Sequence, residues 1–220
     1  MNRFKLLRLT FPFIMMTIPF AYLAYLWTDL PEKIPTHFNA YGLADKFGKK
    51  LEIFVPIIIF AAVAIGVYFL LMNLHKIDPK RKYTENTLSG MNKLAVTVVL
   101  LLTFISVIIL NSTIKGKITT MPLMFCGISL FLAFIGNLMH SVKRNYFVGI
   151  RVPWTLENED NWRQTHQLAS KIFFAGGIGL GVLSLLLNQK IITIVFLSGV
   201  IIMVIIPVVY SYLLYRKSVK

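Results

Sequence analysis

In the segment 141–170, Glu159, Trp162, Arg163 and His166 would share one face of a helix running from residue 156 to about residue 170. A carboxylate beside an imidazole can relay protons or hold a metal ion. The residues supply neither chemistry well. His166 has no second ligand at His-x-x-x-His or Glu-x-x-His spacing, no Ser or Cys nucleophile motif accompanies it, and Cys126 is the only cysteine. The expected site has no catalytic residue, no metal and no cofactor; a membrane enzyme built on His166, Glu159 and Arg163 is the weakest alternative. The same residues have structural uses. Thr155 is a candidate helix N-cap, after which Glu157, Glu159 and Asp160 would lie at the positive end of the helix dipole. Glu159 and Arg163 stand four apart in the order that favours pairing. Trp154 and Trp162 suit a lipid interface. Pro153 keeps the chain before it extended or turned. Together these features fit an interfacial helix or a docking surface for a partner protein.

A second polar segment, 28–50, has ordered punctuation. Pro31 and Pro35 stiffen an extended chain, and Asn39-Ala40-Tyr41-Gly42 reads as a turn with Gly42 free to take positive φ. Asp45 and Lys46 follow, and Phe38, Tyr41 and Phe47 suit packing on headgroups or on other loops. Pro35, His37, Asn39, Gly42 and Asp45 are the candidate contacts of a folded cap that meets something arriving from outside the cell.

The elements that position both segments follow from composition. Of 220 residues, 56% are hydrophobic and 15% charged, against about 45–50% and about 25% in soluble domains. A bilayer accommodates that excess. Six runs approach the ~20 apolar residues that a helical span needs: 9–27, 51–74, 94–114, 121–139, 172–187 and 191–214, of which the fifth is the shortest. Backbone groups in lipid must bond internally, and no alternating short strands suggest a barrel. The predicted class is all-α, a polytopic bundle of about six transmembrane helices. The first run is read as an uncleaved span, because no small-x-small cleavage site closes it.

The formal charge is +14. The larger share of the 23 Lys and Arg falls in the N-terminus, 76–93, 141–171 and the C-terminus. By the positive-inside rule these segments and both termini are cytoplasmic, and 28–50 faces out. The basic excess then implies anionic lipid as a partner, not direct nucleic-acid binding. Two modules are expected: 1–92, two helices with the outer loop, and 93–220, four helices with the inner loop. Pro12, Pro19, Pro56 and Pro207 are candidate kinks. Gly177 and Gly181 lack the strand context of a dinucleotide loop and read as close helix packing. Asn137 is a candidate for bonding across helices. No internal repeat supports a transporter of inverted halves.

Specific residues of both polar segments resemble known modules. Asn145, Gly149-Ile150-Arg151, Pro153-Trp154-Thr155-Leu156, Trp162 and Thr165-His166 are similar to the signature of the SdpI family of bacterial toxin-immunity proteins, with Val152 where Thr is usual. Leu30-Pro31, Ile34-Pro35-Thr36-His37-Phe38-Asn39, Gly42 and Asp45 resemble an uncharacterised membrane module that often precedes it. The resemblance covers about residues 5–75 and 95–215. It implies a protein of the bacterial cytoplasmic membrane that protects its cell from a secreted peptide toxin. It also implies signalling, by holding a cytoplasmic transcriptional repressor at the membrane. Asn145, Gly149, Arg151, Pro153, Trp154, Thr155, Glu159, Trp162, Arg163, Thr165 and His166 would then form the partner-docking loop. The alternative is a transporter or exporter of a peptide or lipid-like compound, which would need a polar pathway through the bundle.

Overall fold

A computed structural model describes residues 3–39, 42–77, 85–117, 120–146 and 148–218. Ala40 and Tyr41, in the middle of the expected turn, lie outside them. Six helices are long and apolar enough to cross a membrane: Leu9–Leu26, Lys50–Met72, Thr87–Lys115, Met121–Met139, Glu159–Leu186 and Gln189–Ser218. Five coincide with the expected runs. The fifth differs: it begins well before residue 172 and takes in the polar stretch read as a separate inner helix.

The chain forms two compact units, Met1–Leu74 with Asn92–Met124, and His75–Met91 with Phe125–Lys220. The first contains α1 (Arg3–Leu26), strands β1 (Lys33–Phe38) and β2 (Ala44–Lys49), α2 (Phe54–Met72) and most of α4 (Glu85–Lys115), while the short α3 (Leu74–Ile77) belongs to the second from His75 onward. Pro12 and Pro19 lie inside α1. Pro56, a candidate kink, falls in the first turn of α2, where a missing N–H leaves no helical bond unmade.

Within 28–50, where the sequence predicts an ordered loop, β1 and β2 pair as a β-hairpin. The strands are antiparallel, with Lys33 opposite Lys49 and Pro35 opposite Phe47, and the register breaks on either side of His37. Ile34, only 1% exposed, carries β1 into a core of Leu23, Leu26, Leu30, Ile53, Ile57 and Leu110. Trp27 packs on that core, tilted against Phe54 with the Lys50 ammonium 4.6 Å above its ring. An isolated bridge from Leu43 to Lys117 fastens the far end of the hairpin.

The second unit is built on α5 (Met121–Met139, from Phe125 onward), α6 (Pro153–Glu157), α7 (Glu159–Leu186) and α8 (Gln189–Ser218). Small residues set its spacing, as expected. A Cβ on Gly177 would come within 2.5 Å of the Ala133 nitrogen and 2.6 Å of the Ser129 carbonyl oxygen, so α5 and α7 touch backbone to backbone. Leu180 fills the notch at Gly199 of α8, and Met203 fills the one at Gly176. Asn137 departs from expectation. It is exposed on α5 and makes no bond across helices among the described residues.

Candidate functional site

The signature segment folds around two buried rings of α7. Val152 has extended dihedrals and precedes Pro153, which occupies the first helical position of α6, where its fixed φ suits the helix and no N–H is wanted. Thr155 is therefore not the N-cap. It sits a turn inside, where its Oγ1 accepts the Val152 N–H at 3.1 Å and donates to the Ile150 carbonyl at 2.8 Å. The chain breaks at Asn158, whose side chain accepts the Asn161 N–H at 2.9 Å and caps α7. Helix 156–170 is thus two pieces, and the longer one continues straight into the fifth span.

That continuation splits the expected face. Trp162 and His166 are each 2% exposed, whereas Glu159 and Arg163 face outward. Arg163 pairs with Asp160 at 2.9 Å, three residues back, instead of with Glu159. Trp162 is a core residue, not an interface anchor. Its indole N–H donates to the Val142 carbonyl at 2.9 Å, and its ring stacks on His166 with centroids 4.0 Å apart.

The partners of His166 fix its proton. Nδ1 faces the Trp162 carbonyl at 2.8 Å, which can only accept, and Nε2 faces the Ile150 N–H at 3.0 Å, which can only donate. Only the neutral ring with hydrogen on Nδ1 satisfies both. Gly149 makes the approach possible. Its φ is +117°, and a Cβ there would overlap His166 Nε2 and lie 3.1 Å from Trp162 Cη2. Asn145, buried, holds the turn before it, accepting from Val148 N–H at 2.7 Å and donating to the Lys143 and Val148 carbonyls. Arg144 caps the end of α6 through the Leu156 and Glu157 carbonyls, each at 3.0 Å. Arg151 donates to the Tyr146 carbonyl from an exposed position.

A second seam joins the segment to α8. The Trp154 indole N–H donates to Ser211 Oγ at 2.8 Å, and its ring stacks on Tyr215 and meets Tyr212 edge-on. Asn161 donates to the Ser211 carbonyl at 2.9 Å and accepts from Thr165 Oγ1 at 3.0 Å. Asn161, Ser211 and Arg144 were not among the sequence candidates. Asn161 and Thr165 could have been found at i, i+4 had α7 been continued through its polar start.

In the hairpin, all five candidates shape the turn or its flank. The Gly42 N–H donates to the Asn39 carbonyl at 2.8 Å with Gly42 φ at 71°, and Asn39 Oδ1 accepts the Leu43 N–H at 3.1 Å. Pro35 is buried. His37 Nδ1 and Asp45 Oδ1 meet at 2.5 Å across the strands, with side chains 58% and 40% exposed. Among the described residues no cluster of three or more His, Cys, Asp or Glu side chains could hold a metal ion.

Known proteins align with these two segments. Residues 14–61, most of α1 through the hairpin into α2, match a domain of unknown function, DUF1648. Residues 141–211 match the SdpI/YfhL protein family; that stretch ends on Ser211, the residue that Trp154 and Asn161 grip. Over 192 residues the chain is 27% identical to "Immunity protein SdpI" of Bacillus subtilis (strain 168), covering 87% of this chain and 88% of that protein. No solved structure gives a significant match. The second family match falls on the loop and helices that lock around Trp162 and His166, so that part of the chain is similar to the SdpI family, and the six apolar helices make the chain a multi-pass protein of the cell membrane.

Proposed function

We propose that the protein is an integral membrane immunity protein that protects its cell from a secreted antimicrobial peptide. The observation that carries this reading is the near full-length match to an immunity protein, which spans both the hairpin and the signature segment. In the proposed orientation both termini and the signature segment are cytoplasmic, and the hairpin faces out to meet the toxin. A second role, recruiting a cytoplasmic transcriptional repressor, would use the outward side chains of the signature segment: Arg151, Glu159 and Arg163. The exporter alternative gains little support. The hydroxyls of Thr97, Thr103, Ser106, Ser112 and Thr113 along α4 all donate to carbonyls of their own helix four residues back, a local bond that needs no pathway.

Expression in a strain sensitive to such peptides tests the first role. Survival should rise with the protein and fall back when the hairpin pair His37 and Asp45 is replaced. Unchanged survival across a panel of membrane-active peptides would refute it. Membrane capture of a repressor that is lost in Arg151→Ala, with protection intact, tests the second.

A further inference from the structure

The exposed side of α7 carries a cation, Lys171, near one end of its apolar stretch. Polar residues follow α7: Asn188 in the turn, then Gln189 and Lys190 at the start of α8. At the other end, Trp154 lies against Tyr212 and Tyr215, the amphipathic rings expected at headgroup level. The rise from Lys190 to Tyr212 along α8 is about 33 Å at ~1.5 Å per residue, which matches a hydrocarbon core of about 30 Å. On α7 the rise from Leu187 back to Lys171 is about 24 Å. Lys171 therefore starts roughly 6 Å inside the hydrocarbon, measured against a ~30 Å core.

Lys171 is exposed and meets no carboxylate among the described residues. Side chains on a helix lean toward its N-terminus, and the N-terminus of α7 is the interfacial end. The Lys171 stem thus points up toward the phosphates and can reach them by snorkelling. Below it on the same face run Phe174, Ile178 and Val182, exposed by 50%, 42% and 52%. Above it stand Gln167, exposed, and Arg163, whose charge Asp160 already meets. Apolar surface below and an unmet cation with an amide donor above are the complement of one phospholipid: an acyl chain along the stripe and an anionic headgroup at the top.

We propose that this face of α7 is a binding site for an anionic phospholipid, with Lys171 holding the phosphate. The test is a titration of phosphatidylglycerol into the purified full-length protein in a neutral detergent, with phosphatidylcholine as reference, read as bound lipid by native mass spectrometry. Phosphatidylglycerol should bind more tightly than phosphatidylcholine. Lys171→Gln should weaken it about fivefold, the worth of one basic residue at an anionic surface, while Lys171→Arg keeps the preference. Lys217→Gln, on the exposed end of α8, should matter far less. Equal weakening by Lys217→Gln, no effect of Lys171→Gln, or no preference for the anionic lipid would each overturn the site. Displacement of the lipid by millimolar inorganic phosphate would also overturn it, in favour of a soluble anion.

Discussion

Replacing Gly149 with Ala should do more damage than any other single methyl group added to the signature segment. Two independent costs add. The backbone at Gly149 has φ +117°, where an L side chain is strained by about 1–3 kcal/mol. The new Cβ also overlaps His166 Nε2. Relieving that overlap moves the ring off the Ile150 N–H, and leaving a buried group unsatisfied costs about 1–3 kcal/mol more. The total, about 2–6 kcal/mol, is a large part of an ordinary stability of about 5–15 kcal/mol. For a chain of this size it corresponds to a fall in melting temperature of roughly 5–20 °C. The assay is thermal unfolding of the purified full-length protein in detergent, run as a cycle with His166→Ala. Removing the ring removes the overlap but not the dihedral strain, so Gly149→Ala should cost about 1–3 kcal/mol less in the His166→Ala background. A Gly149→Ala protein as stable as the parent refutes the reasoning, and so does a cost that His166→Ala leaves unchanged.

Other expectations follow from the same contacts. Trp154→Phe and Ser211→Ala each remove the indole–hydroxyl bond, so each should destabilise by about 1 kcal/mol, and in a thermal-melt cycle the double variant should lose clearly less than the sum. Gly177→Ala should lower the melting temperature sharply, because its methyl meets the backbone of α5, whereas Gly179→Ala, with nothing within 4 Å of the new Cβ, should be tolerated; equal effects would remove the packing account. His37→Ala and Asp45→Ala break an exposed pair of little worth to stability, so melting temperature should hold while protection against the toxin falls. Loss of both readouts together would make the pair structural.

The spans were legible because apolar runs of sufficient length have few alternatives in lipid. What escaped the sequence was polar residues satisfied by one another. Asn161, Thr165 and His166 made the start of α7 look like a separate helix lying at the interface. Once Asn161 bonds Ser211 and Thr165, and His166 bonds Ile150 and Trp162, that stretch is as buried as an apolar one, and the helix runs on without a break. The hairpin was hidden for a different reason. Its strands do not alternate cleanly, since Ile34 and Pro35 are buried in succession and the register slips at His37; only the turn at Gly42 announced itself. The choice of Asp160 over Glu159 by Arg163 turned on where the helix began, and Asn158, not Thr155, set that point.

The most recognisable residues are therefore not the ones a partner can read. Asn145, Thr155, Trp162, Thr165 and His166 are buried and have their polar groups matched inside the fold. Substituting them tests whether the segment folds, and a lost function would not distinguish a lost contact from a lost shape. A partner docking on this segment would read the outward residues that this lock presents: Arg151, which donates to the Tyr146 carbonyl, and Glu159 and Arg163 on the exposed side of α7. Because the lock joins them to α8 through Trp154 and Ser211, their spacing is as rigid as the helices beneath them. A partner that depends on this segment should respond to charge reversal at these three positions in variants whose melting temperature is unchanged. A partner indifferent to all three binds elsewhere.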